Sequence, residues 1–340
     1  MLEHGGRLLE AAAEFGLAPE QWLDLSTGLA PWHWPLPEIP SAAWMRLPES
    51  NDGLEQAACA YYRAPAVLPV AGSQAAIQAL PQLRSPCRVA ILGPCYAEHQ
   101  RAWERHGHQV QLLGEQQCET LLSAGSGVPP FDVLVVVNPD NPTGRVIGRS
   151  CLLDWHGRLS AHGGWLVVDE AFADVEPDCS VADCSDRAGL IVLRSVGKFF
   201  GLAGLRLGFV LAEPPLLRLL ECWLGPWAVS GPARVVGRSL MADTAMQQAW
   251  RLRLLQAGRR LHDLLGGCGL PPSGGCALFQ WLTYVDVVQL HRMLAERGIL
   301  VRLYRQPLGL RIGLPASDAQ WVRLEQGLTE VMQRMRESRV

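Results

Sequence analysis

Short apolar runs recur through the middle of the chain, and each is followed by a polar residue, a glycine or a proline. Four of them consist largely of Val, Ile and Leu, which predicts strands buried on both faces. They span residues 89–93, 133–138, 165–170 and 190–195. Segments with helical periodicity separate them, and this alternation is typical of a mostly parallel sheet flanked by helices. We therefore predict an α/β fold for this part of the chain.

Polar residues end three of the predicted strands. They are Asn138, Asp169 and Ser195. Open sheets of this class bind their ligands at the carboxyl ends of the strands. We therefore expect a ligand site where these three residues lie.

The pattern changes after about residue 215, where helical segments predominate and strands become short. The predicted elements there are a helix at 213–224, an arginine-rich helical segment at 241–265, strands at 275–282, 299–304 and 310–314, and a last helix from residue 318. This order predicts a smaller α+β domain over residues 226–340. We expect a large ligand-binding domain over residues 45–225. We also expect an N-terminal segment, residues 1–44, that packs with the small domain.

Composition narrows the function only slightly. The net charge is −3 and no basic run occurs, which argues against a nucleic-acid partner. The ten cysteines include no C-x-x-C pair, so we expect reduced thiols and no metal site. Neither a signal peptide nor an apolar run of membrane-spanning length is apparent. We therefore expect a soluble, cytoplasmic protein without a membrane partner.

The segment R-S-V-G-K-F-F-G-L-A-G-L-R-L-G, residues 194–208, places a lysine and an arginine among glycines. A lysine such as Lys198 can form a Schiff base with an aldehyde when its pKa is lowered. The Ser195 hydroxyl and the Arg206 guanidinium can hold a phosphate by charge-assisted hydrogen bonds. The glycines allow a bulky group to approach the backbone.

Three further motifs are each open to a purely structural reading. A-G-S-Q-A-A-I, residues 71–77, offers an anion site at a helix start, or only a helix cap. N-P-D-N-P-T-G, residues 138–144, can direct the Asn141 amide at a ligand, or is only a turn. In V-V-D-E-A-F, Asp169 ends a buried strand, where a carboxylate needs a cationic partner. Alternatively, Asp169 only caps a helix or forms a salt bridge. Together the four motifs fit an aldehyde, a protonatable ring nitrogen and a phosphate, which pyridoxal 5′-phosphate combines.

At these motifs, and over nearly its whole length, the chain resembles the aspartate aminotransferase superfamily of fold type I pyridoxal-phosphate enzymes. The resemblance implies a large domain of the pyridoxal-phosphate-dependent transferase type. It also implies a homodimer with the active site near the subunit interface. Leu47 in R-L-P stands where the aminotransferases have a tyrosine that reaches the partner's cofactor phosphate.

The resemblance also implies roles for individual residues toward the cofactor. Lys198 would bind the cofactor aldehyde covalently, and Asp169 would pair with the pyridine nitrogen. Asn141 would bind the ring's 3′ oxygen, and Tyr96, in G-P-C-Y-A-E-H, would stack on the ring. The residues implied to cradle the cofactor phosphate are Gly72, Ser73, Gln74, Ser195 and Arg206.

For the substrate, the resemblance implies that Arg311, in L-R-I-G-L-P, binds the α-carboxylate, with Arg302 as a neighbour. A substrate phosphate would be a second point of attachment. The remaining substrate-contact candidates are His4, Gly5, Gly6, Arg7, Thr27, Gly28 and Asn141.

Within the superfamily the chain resembles the threonine-phosphate decarboxylases of cobalamin biosynthesis, which are related to the histidinol-phosphate aminotransferases. The shared features are H-G-G at residues 4–6, L-D-L-S-T-G at 23–28 and D-E-A-F at 169–172. The implied reaction is decarboxylation of L-threonine O-3-phosphate to (R)-1-amino-2-propanol O-2-phosphate. Two alternatives stay open at this point. One is a histidinol-phosphate or aromatic amino-acid aminotransferase, and the other is a catalytically silent binding or regulatory protein on the same fold.

Overall fold

The computed structural model describes residues 5–123 and 129–337. The helices in these ranges are α1 (Leu8–Phe15), α2 (Ser41–Met45), α3 (Leu54–Tyr62), α4 (Ser73–Ala79), α5 (Glu98–Arg105), α6 (Glu115–Ser123), α7 (Arg149–Ser160), α8 (Val196–Phe199), α9 (Pro214–Leu224), α10 (Gly231–Ala242), α11 (Thr244–Gly267), α12 (Val287–Ala295) and α13 (Asp318–Glu337). The strands are β1 (Leu23–Asp24), β2 (Leu68–Val70), β3 (Arg88–Leu92), β4 (Gln109–Leu113), β5 (Val133–Val137), β6 (Trp165–Asp169), β7 (Leu190–Ser195), β8 (Gly208–Leu211), β9 (Gly274–Cys276), β10 (Phe279–Leu282), β11 (Ile299–Leu300), β12 (Arg302–Arg305) and β13 (Leu308–Gly313).

The chain divides into two compact units. The larger unit comprises Trp34–Asn141 and Val146–Ala249. The smaller unit comprises the residues up to His33, the short stretch Pro142–Arg145, and the chain from Trp250 onward. The domain boundaries expected from the sequence, after residues 44 and 225, stay a prediction.

A seven-stranded sheet forms the centre of the larger unit, in the order β2-β8-β7-β6-β5-β3-β4. The neighbours from β7 to β4 are parallel, whereas β8 is antiparallel to both β7 and β2. Val137 lies opposite Asp169 in the ladder, and Asp169 lies opposite Leu193. The carboxyl ends of β5, β6 and β7 therefore meet at one edge of the sheet. The predicted α/β fold with a mostly parallel sheet is confirmed.

The four predicted strands are buried because helices cover the sheet. Val135, Val167 and Ile191 belong to one apolar cluster that also contains side chains of α4, α5 and α9. A second helix layer includes α7, which packs against β6. Complete burial of a Val or Ile side chain stabilises the fold by about 1.5–3 kcal/mol. These strands consequently show a continuous rather than an alternating apolar pattern.

The smaller unit contains a four-stranded antiparallel sheet, in the order β12-β13-β10-β9, and a separate parallel pair, β1-β11. The strand predicted at 275–282 is in fact a hairpin, since Cys276 pairs with Phe279 across a two-residue turn. Gly275 has φ +140° there, a conformation that glycine adopts readily and L-residues rarely do. An apolar run alone does not reveal this reversal.

Two general findings apply to the residues that the structure describes. None of their helices combines the length and the apolar character needed to cross a membrane. They also contain no group of three or more His, Cys, Asp or Glu side chains arranged to hold a metal ion.

Candidate active site

Lys198 lies in α8, a single turn that follows β7 directly. Ser195 is the residue preceding this turn, with φ −126° and ψ 114°. A side chain at Gly197 would come within 2.9 Å of Ala203 Cα, so the glycine allows the chain to fold back closely here. Lys198 Nζ lies 5.6 Å from the centre of the Phe172 ring. The glycines around the lysine therefore permit a tight loop at the carboxyl end of the sheet.

The phosphate-binding candidates converge on Gly72. A Cβ atom at this position would come within 2.5 Å of Arg206 Nη2, so the guanidinium lies directly against the glycine backbone. A Cβ at Gly208 would meet the Ser73 nitrogen at 2.6 Å. Ser195 pairs with Gly208 in the β7-β8 ladder. An arginine, a serine and two closely packed backbone segments are thus brought together.

Asp169 is paired with a histidine that the sequence did not identify. His99 Nε2 donates to Asp169 Oδ2 over 2.9 Å, and the Ala171 amide donates to Asp169 Oδ1 over 3.1 Å. Both side chains are almost completely buried. Since both carboxylate oxygens have a hydrogen-bond partner, the Asp169 side chain is held in one orientation at the end of β6. The only sequence signal for His99 is its position three residues after Tyr96.

Tyr96 is held by Gln74. Its hydroxyl donates to Gln74 Oε1 over 3.2 Å, and Gln74 Nε2 donates to Glu98 Oε2 over the same distance. The Tyr96 ring also meets the His99 ring edge-on, with 6.3 Å between the centroids. The Gln74 side chain therefore orients the Tyr96 ring.

Asn138 directly follows β5, as expected, but its side chain binds the protein backbone. Its side-chain amide donates to the Ile147 carbonyl over 3.0 Å, and its Oδ1 accepts from the Ile147 amide over 2.8 Å. Both polar atoms of the side chain are thereby used to join two backbone segments. Asn138 is thus a structural residue rather than a ligand contact, while Asn141, three residues later, is half-buried.

A buried charge network adjoins the ends of β6 and β7, and no pattern in the sequence indicated it. Arg194 Nη1 donates to Glu170 Oε2 over 2.6 Å, and its Nη2 donates to Asp174 Oδ1 over 2.9 Å. The Ser180 hydroxyl also donates to Glu170, and the Tyr61 hydroxyl donates to Asp174 over 2.9 Å. All three charged side chains are at most 3% exposed.

Burial and ion pairing shift the pKa values of Glu170 and Arg194 in opposite directions. Burial raises the pKa of Glu170, and the Arg194 charge opposes that rise. Burial disfavours the charged form of Arg194, but Asp174 and Glu170 outweigh it and raise the pKa of the guanidinium. Glu170 follows Asp169 in the chain, and Arg194 precedes Ser195. The network therefore fixes the two strand ends that carry site candidates.

In the smaller unit, Arg311 and Arg302 face each other across the β12-β13 ladder. Their guanidinium carbons lie 5.7 and 5.2 Å from the centre of the same Tyr304 ring. Burial lowers the pKa of Arg311, and the like charge of Arg302 adds to this effect. Two neighbouring guanidinium groups of this kind favour an anionic ligand.

The N-terminal candidates lie in the same unit. Gly6 donates from its amide to Ser26 Oγ over 2.9 Å, and a Cβ on Gly6 would lie 3.6 Å from Thr27 Cγ2. Gly28 is buried, and Arg7 pairs with Glu10 on the surface at 3.0 Å. His4 lies outside the described residues. The structure thus brings Gly5, Gly6 and Thr27 together, whereas the Arg7 side chain has Glu10 as a partner.

Comparison with known proteins identifies the family to which the chain belongs. The model of the family described as aminotransferase class I and II matches residues 46–331. The chain belongs to the class I and II aminotransferase family. A threonine-phosphate decarboxylase from Pseudomonas aeruginosa is 57% identical over 96% of this chain and 97% of that protein. A second threonine-phosphate decarboxylase, from a Sinorhizobium species, is 44% identical over 96% of this chain and 98% of that protein.

A solved structure supports the fold assignment. Histidinol-phosphate aminotransferase from Sinorhizobium meliloti, in complex with pyridoxal 5′-phosphate, superposes with a TM-score of 0.81. The match covers 98% of this chain and 96% of that chain, at 18% sequence identity. The aminotransferase fold is therefore shared even where the sequence has diverged. The predicted resemblance to fold type I enzymes is confirmed.

The residues present in the larger unit fit pyridoxal phosphate. Lys198 would supply an amine for the aldehyde, and the buried, His99-paired Asp169 would supply a carboxylate for the ring nitrogen. Arg206 supplies a cation next to the Gly72 backbone, in a space that a Cβ atom would fill. This donor set matches the three functional groups of the cofactor.

Proposed function

We propose that this protein is a pyridoxal-phosphate-dependent carboxy-lyase. It converts L-threonine O-3-phosphate to (R)-1-amino-2-propanol O-2-phosphate and carbon dioxide, a step of cobalamin biosynthesis. The main support is the 57% identity, across almost the full length of both chains, with a relative named threonine-phosphate decarboxylase. The arrangement of Lys198, Asp169 and Arg206 is consistent with the catalytic rather than the silent alternative.

The larger unit binds the cofactor in this proposal. When bound, pyridoxal phosphate supplies an electron sink for the negative charge left at the substrate Cα when carbon dioxide departs. Lys198 would hold the aldehyde group, and Arg206 would hold the phosphate. The other residues assigned to the phosphate are Gly72, Ser73, Gln74 and Ser195.

Asp169 would favour a proton on the ring nitrogen, because a buried carboxylate favours a positive charge next to it. His99 maintains the orientation of that carboxylate through its hydrogen bond of 2.9 Å. Tyr96, oriented by Gln74, packs on the ring face, and Asn141 binds the 3′ oxygen. Once the substrate amine has displaced Lys198 from the aldehyde, the freed Lys198 amine or a water would return a proton to the substrate Cα.

The smaller unit supplies the substrate contacts. Arg311 and Arg302 bind the α-carboxylate, and the direction in which they hold it decides whether carbon dioxide or the Cα proton is lost. The group assigned to the substrate phosphate is the N-terminal turn with its neighbours, namely His4, Gly5, Gly6, Arg7, Thr27 and Gly28. A substrate with two anionic groups is therefore held at both ends.

We infer further that the protein is a cytoplasmic homodimer. All ten cysteines are free thiols, which supports a reducing compartment. Large apolar side chains are exposed at Leu36, Trp44, Met45 and Leu47. Such exposure within one short stretch supports a protein partner, here a second copy of the chain.

Turnover of L-threonine O-3-phosphate by the purified holoenzyme tests the proposal. We expect release of carbon dioxide together with an equimolar amount of aminopropanol phosphate, while the absorbance of the bound cofactor recovers fully at the end of the reaction. Histidinol phosphate should give no keto product. The Lys198→Ala variant serves as the control and should neither release carbon dioxide nor show the absorbance of lysine-bound cofactor.

Formation of pyridoxamine phosphate and a keto acid from either substrate would instead identify an aminotransferase. Absence of any cofactor absorbance in the wild-type protein would support the silent binding protein.

A further inference from the structure

Ser26 lies at the centre of a small hydrogen-bond network in the smaller unit, two residues after β1. Its side chain is buried, at 3% exposure. The Ser26 hydroxyl donates to Asp24 Oδ1 over 2.7 Å and accepts from the Gly6 amide over 2.9 Å. The Ser26 amide also donates to Asp24 Oδ1, over 2.9 Å. The Asp24 carboxylate thereby fixes the direction in which the hydroxyl accepts the Gly6 proton.

The backbone carbonyl of Ser26 has a second contact. It accepts a hydrogen bond from Arg311 Nη2 over 3.1 Å, and Arg311 itself is 7% exposed. A Cβ atom at Gly5 would come within 2.6 Å of the Ser26 oxygen and 3.8 Å of Arg311 Nη2. The N-terminal turn therefore packs against the same carbonyl that holds the arginine. No other residue type fits at position 5 without displacing one of them.

The two contacts use different atoms of one residue. The hydroxyl holds the Gly5–Gly6 turn, and the carbonyl holds Arg311. A change at the side chain alters the first contact and leaves the second in place. This separation makes the effect of each contact measurable on its own.

We propose that Ser26 is a positioning residue that determines the preference for a phosphorylated amino acid. The inference rests on the proposed function, because it takes the carboxylate to bind at Arg311 and the phosphate at the N-terminal turn. Ser26 keeps these two anion-binding groups at a constant separation. A ligand that carries both anions at the matching distance gains from this arrangement, and one that carries only the carboxylate does not.

The Ser26→Ala variant tests this role in the holoenzyme. The measurements are the dissociation constants of L-threonine O-3-phosphate and of L-threonine, both read from the change in cofactor absorbance, together with KM and kcat for the phosphorylated compound. Loss of one buried hydrogen bond corresponds to an affinity loss of about tenfold. We expect that loss for threonine phosphate and almost none for threonine. The cofactor absorbance before substrate addition and kcat at saturation should stay unchanged.

Two further variants make the result interpretable. Ser317→Ala removes an exposed serine hydroxyl of the same unit, which accepts from the Gln320 amide, and should change neither affinity. Asp24→Ala leaves the Ser26 hydroxyl without its acceptor and should reproduce the selective loss, by roughly threefold, even if Ser26→Ala folds poorly.

The inference would be overturned if Ser26→Ala lost affinity equally for both ligands, or lost none for either. A wild-type protein that binds the two ligands equally well would also overturn it. A wild type that binds selectively without releasing carbon dioxide would contradict the proposed function, whereas a selective loss in Ser26→Ala would still support the role of Ser26.

Discussion

Gly72 has φ +76° and ψ 155°, a backbone conformation that is essentially restricted to glycine. Its missing side chain also leaves the space that the Arg206 guanidinium occupies. Arg206 itself has φ +53°, an uncommon value for a residue with a side chain. Two unusual backbone conformations therefore meet at one contact. Such strain at a cation that faces a glycine backbone is consistent with an anion-binding role.

At this residue scale, Gly72→Ala should weaken cofactor binding by roughly tenfold or more, because the strained backbone alone costs about 1–3 kcal/mol and the Cβ displaces Arg206. Equilibrium titration of the apoenzyme with pyridoxal phosphate, followed by absorbance, measures the effect. Gly157→Ala is the control, since this glycine lies within α7 and has no atom close to a Cβ. That variant should bind the cofactor normally, and normal binding by Gly72→Ala would contradict the prediction.

The ends of β6 and β7 are the elements on which the site depends. Both strands carry a site candidate and, next to it, a member of the buried charge network of Glu170, Arg194 and Asp174. The carboxylates come from a strand end and from the following turn, and the guanidinium comes from the adjacent strand. Desolvation makes each of these charges costly, so they are stable only as a group. The network thus joins two elements at the point where the ligand is expected.

At the element scale, Arg194→Met should lower the free energy of unfolding by about 3–5 kcal/mol, because it leaves two buried carboxylates without their cation. Urea unfolding of the apoenzyme measures this loss. Arg158→Met is the matched control, since Arg158 pairs with Asp154 at 2.8 Å on the exposed surface of α7. The control should lose no more than about 1 kcal/mol. Equal losses in the two variants would show that the buried network is not a special source of stability.

On the scale of the whole protein, the stretch at residues 36–47 is notable because it exposes several large apolar side chains. Trp44, Met45 and Leu47 are 67%, 84% and 62% exposed. By the resemblance to the aminotransferases, Leu47 stands where they have a tyrosine that reaches the partner's cofactor phosphate. The proposed dimer would bury these side chains.

Accordingly, the wild-type protein should have twice the mass of one 37.2 kDa chain in light scattering. The double variant Trp44→Ser, Met45→Ser should shift toward the monomer at micromolar concentration, because it removes most of the apolar contact area in this stretch. Leu112→Ser changes an apolar side chain, 53% exposed, on edge strand β4 and should leave the dimer intact. A monomeric wild-type protein would contradict the proposed assembly.

The amino-acid sequence was sufficient to predict the α/β fold, the positions of β5, β6 and β7, and the motifs that carry Lys198, Asp169 and Arg206. These features are local, because strand burial and turn chemistry are written in neighbouring residues. The hairpin at 274–282 was missed, since an apolar run has the same pattern whether or not it reverses.

The pairing of the polar groups, by contrast, is visible only in the folded chain. His99 and Asp169 are 70 residues apart in the chain, and Ser26 and Arg311 are 285 apart. The sequence records that such groups exist, but their pairing follows from strand order and helix packing. Burial makes an unpaired polar group costly, and each of these groups is therefore stable only with the partner that the fold places beside it.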